Sequence, residues 1–215
     1  YDAGRELGDK DERKERELAY KPRMPHLHEN CSASCQNTYI ASDADWVNVS
    51  TVMSTSPDQI AVAPGSLVKE WEADGRRYFE YQLDHKSLNF YSFVSGRYAV
   101  ERDTWTSDNG QTVDVEIYYH PGHEYNVDKM VEGVKSALAY CTKNFSPYPH
   151  RQARIIEFPR YATFAQAFPG TMPYSESIGF IADLTSEDAI DFVYYVVAHE
   201  MAHQWWAHQV IGAGV

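Results

Sequence analysis

The feature that most constrains this chain is a long, mostly apolar segment at residues 191–208. It contains two histidines four positions apart, His199 and His203, with Glu200 directly after the first. In an α-helix, side chains four positions apart lie on the same face about one turn from each other, so both imidazoles can approach a single ion. The residues around them are uncharged, as expected of a buried helix that holds a metal in a dry site.

The pattern His-Glu-x-x-His is typical of zinc sites that hydrolyse peptides. Zinc held by two such histidines keeps a coordination position open for water, and the carboxylate beside the first ligand can take the proton of that water. His199 and His203 are therefore predicted to bind Zn²⁺, with Glu200 as the general base. The alternative interpretation is a buried amphipathic helix with two hydrogen-bonded histidines.

The residues from Val197 to Trp206 resemble the active-site helix of the aminopeptidase N family, zinc exopeptidases of the gluzincin type. A second similarity lies at residues 175–181, which resemble the family's Gly-Ala-Met-Glu-Asn motif and the glycine that follows it. Glu176 takes the glutamate position, 23 residues before His199, which is about the family's spacing. The three positions before Glu176 depart from the motif, and Ser177 replaces its asparagine.

The resemblance implies a zinc aminopeptidase that acts on peptides with a free N-terminus. Glu176 would accept the substrate's α-ammonium group, and Gly179 would let the backbone pass close to the substrate. In the family the third zinc ligand is a glutamate eighteen residues after the second histidine, and the transition-state tyrosine lies further downstream. Both fall past residue 215, so we expect this chain to be the N-terminal part of such an enzyme and to be inactive by itself.

Two other functions stay open at this point. The first is a zinc endopeptidase of thermolysin-like fold, in which Glu176 has no amine to bind. The second is a non-catalytic, peptidase-like module of a larger membrane protein. Similar aminopeptidase domains occur in bacterial membrane proteins, so the resemblance points to the extracytoplasmic side of a bacterial inner membrane, with any membrane-spanning segments outside this chain.

Charge and cysteine content exclude some classes of protein. The net charge of −12 argues against nucleic acid as a partner, because a phosphate-binding surface needs an excess of Lys and Arg. The three cysteines, Cys31, Cys35 and Cys141, are an odd number that favours neither a disulfide framework nor a redox centre. His26 and His28 can be combined with the first two cysteines into a second zinc site, but a polar loop explains them equally well.

The chain between residues 46 and 119 has the two-residue period of β-strands. Turn signals, among them Asp74-Gly75 and Asn109-Gly110, separate the strands. Short strands without helical stretches between them indicate an antiparallel β unit. Six strands are predicted, at Trp46–Met53, Gln59–Ala63, Gly65–Trp71, Arg77–Leu83, Phe90–Tyr98 and Val113–Tyr119.

The pattern changes after Pro121-Gly122, and we place a domain boundary there. Residues 127–143 carry apolar side chains at helical spacing and are predicted to form a helix. A buried strand follows at residues 153–159, and a loop that contains Gly and Pro covers residues 160–174.

The helix that carries the two histidines is predicted to start after a cap at Thr185 or Ser186 and to end at Gly212. This gives a length of about 25 residues. His208 would then lie on the face opposite His199, because nine residues correspond to about 900° of rotation. The sequence therefore excludes His208 as the third zinc ligand.

The predicted fold class is α+β. Residues 1–120 are assigned to the C-terminal part of a β-rich, antiparallel N-terminal domain. Residues 121–215 are assigned to the start of a thermolysin-like zinc peptidase domain, truncated after the His-Glu-x-x-His helix. This division follows the resemblance, since the family's non-catalytic N-terminal domain is all-β.

Overall fold

The computed structural model describes residues 9–20, 46–186 and 190–211. None of the helices in these ranges is long and apolar enough to cross a membrane. The alternative zinc site at Cys31 and Cys35 lies outside the described residues.

The α-helices are α1 Lys10–Glu15, α2 Val127–Asn144 and α3 Phe192–Ala202, and a 3₁₀ turn covers Glu124–Asn126. The strands are β1 Trp46–Val47, β2 Ser50–Thr55, β3 Ile60–Val62, β4 Ser66–Ala73, β5 Arg76–Gln82, β6 Ser87–Leu88, β7 Val94–Gly96, β8 Ala99–Thr106, β9 Thr112–Tyr119, β10 Gln152–Phe158 and β11 Thr171–Ser175.

The first seven strands form three small antiparallel sheets, as the sequence predicts. Their orders are β2-β5-β4, β3-β7 and β1-β6. The tight turn between β4 and β5 places both Asp74 and Gly75 at positive φ, which is the backbone conformation of a type I′ hairpin. Phe79 and Tyr81 of β5 are buried in a small core under these sheets. The expectation of an antiparallel β portion is therefore confirmed.

The last four strands form one mixed sheet in the order β11-β10-β9-β8. The hairpin between β8 and β9 is antiparallel, whereas β9, β10 and β11 are parallel to one another. β10 is buried at every position, as expected of a central parallel strand, so the strand predicted at residues 153–159 is confirmed. Strand β11 was predicted as part of a loop, and this prediction is wrong. The strand contains Pro173, which an edge strand tolerates because its outer N–H groups need no partner in a neighbouring strand.

The predicted division of the chain at residue 121 passes through this mixed sheet. β9 lies before residue 121 and pairs with β10, which lies after it, through the register Ile117 to Ile155. Main-chain hydrogen bonds therefore connect the two predicted parts. The assignment of residues 1–120 and 121–215 to separate domains stays a prediction.

Helix α2 covers one face of the mixed sheet, and α3 packs on α2. The helix predicted at residues 127–143 is confirmed to within one residue, and its apolar face joins the largest core of the described chain. The helices approach most closely at Gly133, where an added Cβ would lie 2.9 Å from Cγ1 of Val197. The absence of a side chain at Gly133 therefore sets the position of α3.

Gly133→Ala tests this packing constraint. In an open helical position the change would stabilise the fold by up to about 1 kcal/mol, because alanine favours helix. Here we expect a loss of about 1–3 kcal/mol, because the new methyl group overlaps the stiff, β-branched side chain of Val197. The free energy of unfolding in urea measures the change.

The same substitution in a Val197→Ala background is the control. The penalty of Gly133→Ala should largely disappear there, because the overlapping methyl groups are gone. A stabilising effect of Gly133→Ala in the wild-type background would show that the helices do not meet as described.

Candidate metal centre and substrate site

His199 lies in the last turn of α3, and His203 is the residue that ends the helix. Their Nε2 atoms are 3.2 Å apart. Two nitrogens that each lie about 2.05 Å from a tetrahedral zinc ion are separated by about 3.3 Å. The two rings are therefore placed to hold one zinc ion with almost no movement.

The second ring is oriented by a hydrogen bond on its far side. Nδ1 of His203 lies 3.0 Å from the carbonyl oxygen of Trp206. A carbonyl only accepts, so Nδ1 carries the hydrogen and Nε2 presents its lone pair, the arrangement seen in metal-binding histidines. Burial, and then the neighbouring His203, lower the pKa of His199, which favours the neutral form that binds metal.

Glu200 points into the protein rather than along the exposed side of α3. Only 7% of its surface is exposed, and burial raises the pKa of its carboxyl group, with His203 acting in the opposite direction. Burial, and then the charge of Glu200, also raise the pKa of Tyr174 on β11. Glu200 is therefore close enough to the edge of the mixed sheet to affect it electrostatically.

The expectation that the helix around the histidines is buried holds for one face only. The inner face of α3 is buried at Val193, Val197 and Met201. The opposite face is exposed, with Phe192 at 46% and Tyr195 at 58% of their full exposure. His199 lies on the exposed face, with its ring stacked on that of Tyr195, and His203 is half-buried.

The length predicted for this helix is wrong. The structure shows 11 residues instead of about 25, and the N-cap is Asp191, whose Oδ1 accepts the N–H of Tyr194 at 3.0 Å. Gln204 lies just beyond this end, and its side chain bonds to main-chain groups of the loop before β11, at Gly170 N and Phe168 O. Ala207 then has a positive φ, a conformation outside the right-handed helical region.

His208 therefore lies beyond the helix, and the rotation argument used to exclude it does not apply. Its ring is buried, and Nε2 lies 3.1 Å from the carbonyl oxygen of Ala167. That carbonyl can only accept, so this nitrogen carries a hydrogen and has no lone pair for zinc. Its other nitrogen, Nδ1, has no hydrogen-bond partner among the described residues and so carries the lone pair, but it does not join the ligand atoms of His199 and His203 in one group.

Glu176 directly follows β11. Its Oε1 accepts the main-chain N–H of Arg160 at 3.1 Å, and its Oε2 lies 4.0 Å from Nδ1 of His123. The side chain is 15% exposed, so the carboxylate is accessible at the surface of the sheet edge. In the described part of the chain it makes no hydrogen bond or ion pair with His199 or His203, and the two groups of predicted site residues stand on separate elements.

Gly179 packs closely inside the protein. A Cβ at this position would lie 3.1 Å from Cε of Met130 and 3.2 Å from Cδ1 of Tyr174. Its carbonyl oxygen accepts a hydrogen bond of 2.8 Å from the Asn126 side chain. These contacts give a packing reason for glycine here, and the predicted role near the substrate stays a prediction.

Sequence reasoning missed two residues beside Glu176. Glu157 on β10 has no exposed surface, and its Oε1 lies 2.5 Å from Nδ1 of His123. The signal was a single charge within the apolar run at residues 155–158, because a buried carboxylate needs a partner. The sequence could not identify that partner, since His123 is 34 residues away.

No model of a known protein family matches the chain. Among curated proteins, it is 25% identical over 143 residues to "Probable aminopeptidase 1" of Saccharolobus solfataricus, covering 66% of this chain and 18% of that protein. It is 28% identical over 105 residues to the protein of the same name from Sulfurisphaera tokodaii, covering 48% of this chain and 13% of that protein. The chain thus spans less than a fifth of the length of these relatives.

Solved structures show the same fold. Aminopeptidase A of Legionella pneumophila, in complex with aspartic acid, matches with a TM-score of 0.65 and 21% identity over 77% of this chain and 20% of that chain. An M1 zinc metallopeptidase from Deinococcus radiodurans matches with a TM-score of 0.57 and 19% identity over 79% of this chain and 37% of that chain. The resemblance to the aminopeptidase N family is therefore confirmed, and over more than three quarters of its length the chain has the fold of the M1 zinc aminopeptidases.

Proposed function

We propose that this chain carries part of the active site of a zinc-dependent aminopeptidase, which removes N-terminal residues from peptides. The observation that carries the proposal is the pair of Nε2 atoms of His199 and His203, 3.2 Å apart at the end of α3, with the buried Glu200 between them in sequence. The names of the curated relatives and of the solved structures support the same activity.

The residues present fit a zinc ion, because both ring nitrogens have the separation that tetrahedral coordination requires. Bound zinc supplies Lewis-acid activation of a water molecule and of the scissile carbonyl. Glu200 would accept the proton of that water at its carboxylate, which is buried beside the pair. Among the described residues, no third His, Cys, Asp or Glu joins the pair as a ligand.

Glu176 gives the proposed enzyme its preference for the N-terminal residue. A carboxylate beside the zinc site pairs with a charge that a peptide carries only at its N-terminus, and this pairing fixes which bond reaches the metal. The Glu176 side chain is partly exposed at the end of β11, and its Oε1 is held by the Arg160 N–H, so the carboxylate is both accessible and oriented.

Calorimetric titration of this chain with Zn²⁺ tests the metal site. We expect weak binding that is lost in both His199→Ala and His203→Ala, because two neutral imidazoles alone leave the ion under-coordinated. The exposed His85 provides a matched control, since His85→Ala removes an imidazole far from the pair and should leave binding unchanged. Tight binding that survives the double alanine variant would place the metal elsewhere, and Cys31→Ser with Cys35→Ser would then be the next variants to titrate.

Glu200→Gln tests the catalytic base in the full-length protein. The amide is nearly isosteric but cannot accept a proton, so we expect metal content to stay unchanged and turnover to fall by several orders of magnitude. Metal analysis and peptide hydrolysis must be measured on the same preparation. Retained turnover would show that another group is the base; a wild-type protein that binds zinc without any hydrolysis would favour the non-catalytic module.

Glu176→Ala separates the exopeptidase from the endopeptidase. Loss of a charge-assisted contact should lower kcat/KM for peptides with a free N-terminus by roughly ten- to a hundredfold, whereas N-acetylated peptides should be poor substrates of the wild type and lose little more. The measurement compares matched free and acetylated peptides on both proteins. Equal cleavage of the two peptides by the wild type would favour the endopeptidase.

A further inference from the structure

Three side chains lie close together at the end of the mixed sheet where its parallel strands finish. His123 lies in the turn after β9, Glu157 lies near the end of β10, and Glu176 follows β11. One ligand atom from each of them lies within 4.8 Å of the other two. Because β9, β10 and β11 are parallel, their carboxyl ends share this edge, which is where sheets of this kind bind ligands.

Glu157 is the most tightly held residue of the three. It has no exposed surface, and both of its oxygens are occupied: Oε2 accepts the main-chain N–H of His120 at 2.6 Å, and Oε1 lies 2.5 Å from Nδ1 of His123. A carboxylate accepts hydrogen bonds, so Nδ1 of His123 carries the hydrogen. Burial makes these bonds costly to break, and they fix the imidazole ring in one orientation.

Glu176 is held less tightly. Its Oε1 accepts the main-chain N–H of Arg160 at 3.1 Å and lies 3.7 Å from Nε of the Arg160 guanidinium, while its Oε2 lies 4.0 Å from Nδ1 of His123, whose hydrogen is directed at Glu157. The anchored ring of His123 therefore bounds the Oε2 side of this carboxylate, while Arg160 holds the Oε1 side.

We propose that His123, anchored by Glu157, is a positioning residue that holds the carboxylate of Glu176 in the orientation in which it binds the α-ammonium group of the substrate. This inference rests on the proposed aminopeptidase function and extends it to the residues that determine specificity for a free N-terminus. Nδ1 of His123 and Oε1 of Glu157 lie within direct hydrogen-bond distance, and this bond anchors the ring.

The test uses the full-length protein and the variants His123→Ala, His123→Asn and Glu176→Ala. For a peptide with a free N-terminus, His123→Ala should lower kcat/KM roughly tenfold, mainly through KM, because the carboxylate keeps its charge and its bond to Arg160 but loses the neighbour that bounds its Oε2. The acetylated peptide should be unaffected. His123→Asn should recover most of the loss, since its amide N–H can donate near the position of Nδ1. In the Glu176→Ala background, His123→Ala should have little further effect.

The outcomes that overturn the proposal are distinct from those that overturn the proposed function. If the wild type does not prefer peptides with a free N-terminus, both the proposed aminopeptidase function and the positioning role of His123 are wrong. If the preference exists and depends on Glu176 but His123→Ala leaves it unchanged, only the positioning role falls. Equal losses for both peptides in His123→Ala and His123→Asn would mark a purely structural residue. A second equivalent of bound metal that disappears in His123→Ala would replace the positioning role with a metal site.

Discussion

The packing of α3 on α2 is the constraint on which the candidate metal centre depends. Because Gly133 has no side chain, Val197 can lie against the backbone of α2, and an added Cβ would be only 2.9 Å from it. That contact determines which face of α3 turns inward. Glu200 follows the inward face and is buried, whereas His199 is exposed. A single close approach thus separates a buried carboxylate from the exposed imidazole next to it in sequence.

Polar contacts with distant loops hold the segment just beyond α3. Gln204 bonds to Gly170 and Phe168, and the indole N–H of Trp205 donates to the carbonyl of Ser146 at 2.8 Å. Trp206, in the same segment, presents its carbonyl oxygen to the ring of His203. The orientation of one proposed ligand therefore depends on where the helix ends, and not only on its helical spacing.

This dependence explains how much the sequence could predict. Patterns that repeat locally gave the antiparallel portion, the strand β10, the helix α2 and the meeting of two histidines on one helical turn. Features that depend on contacts between residues far apart in the chain could not be predicted from the sequence. The segment after α3 makes contacts with distant loops, through Gln204 among others, and β8 is an edge strand whose exposed, charged residues lack an apolar alternation. The pairing of Glu157 with His123 joins residues that no local pattern relates.

The two parts of the proposed site, the histidine pair and the group around Glu176, also differ in how far local sequence determines their geometry. The histidine pair spans four residues of one helix, and helical geometry together with one outer hydrogen bond is enough to place it. The group around Glu176 requires the ends of three parallel strands to meet, with a buried carboxylate compensated by a residue from another segment. Within the described residues, the hydrogen bonds of Glu176 and His123 do not reach His199 or His203, so substitutions at the strand ends are expected to leave the geometry of the histidine pair intact.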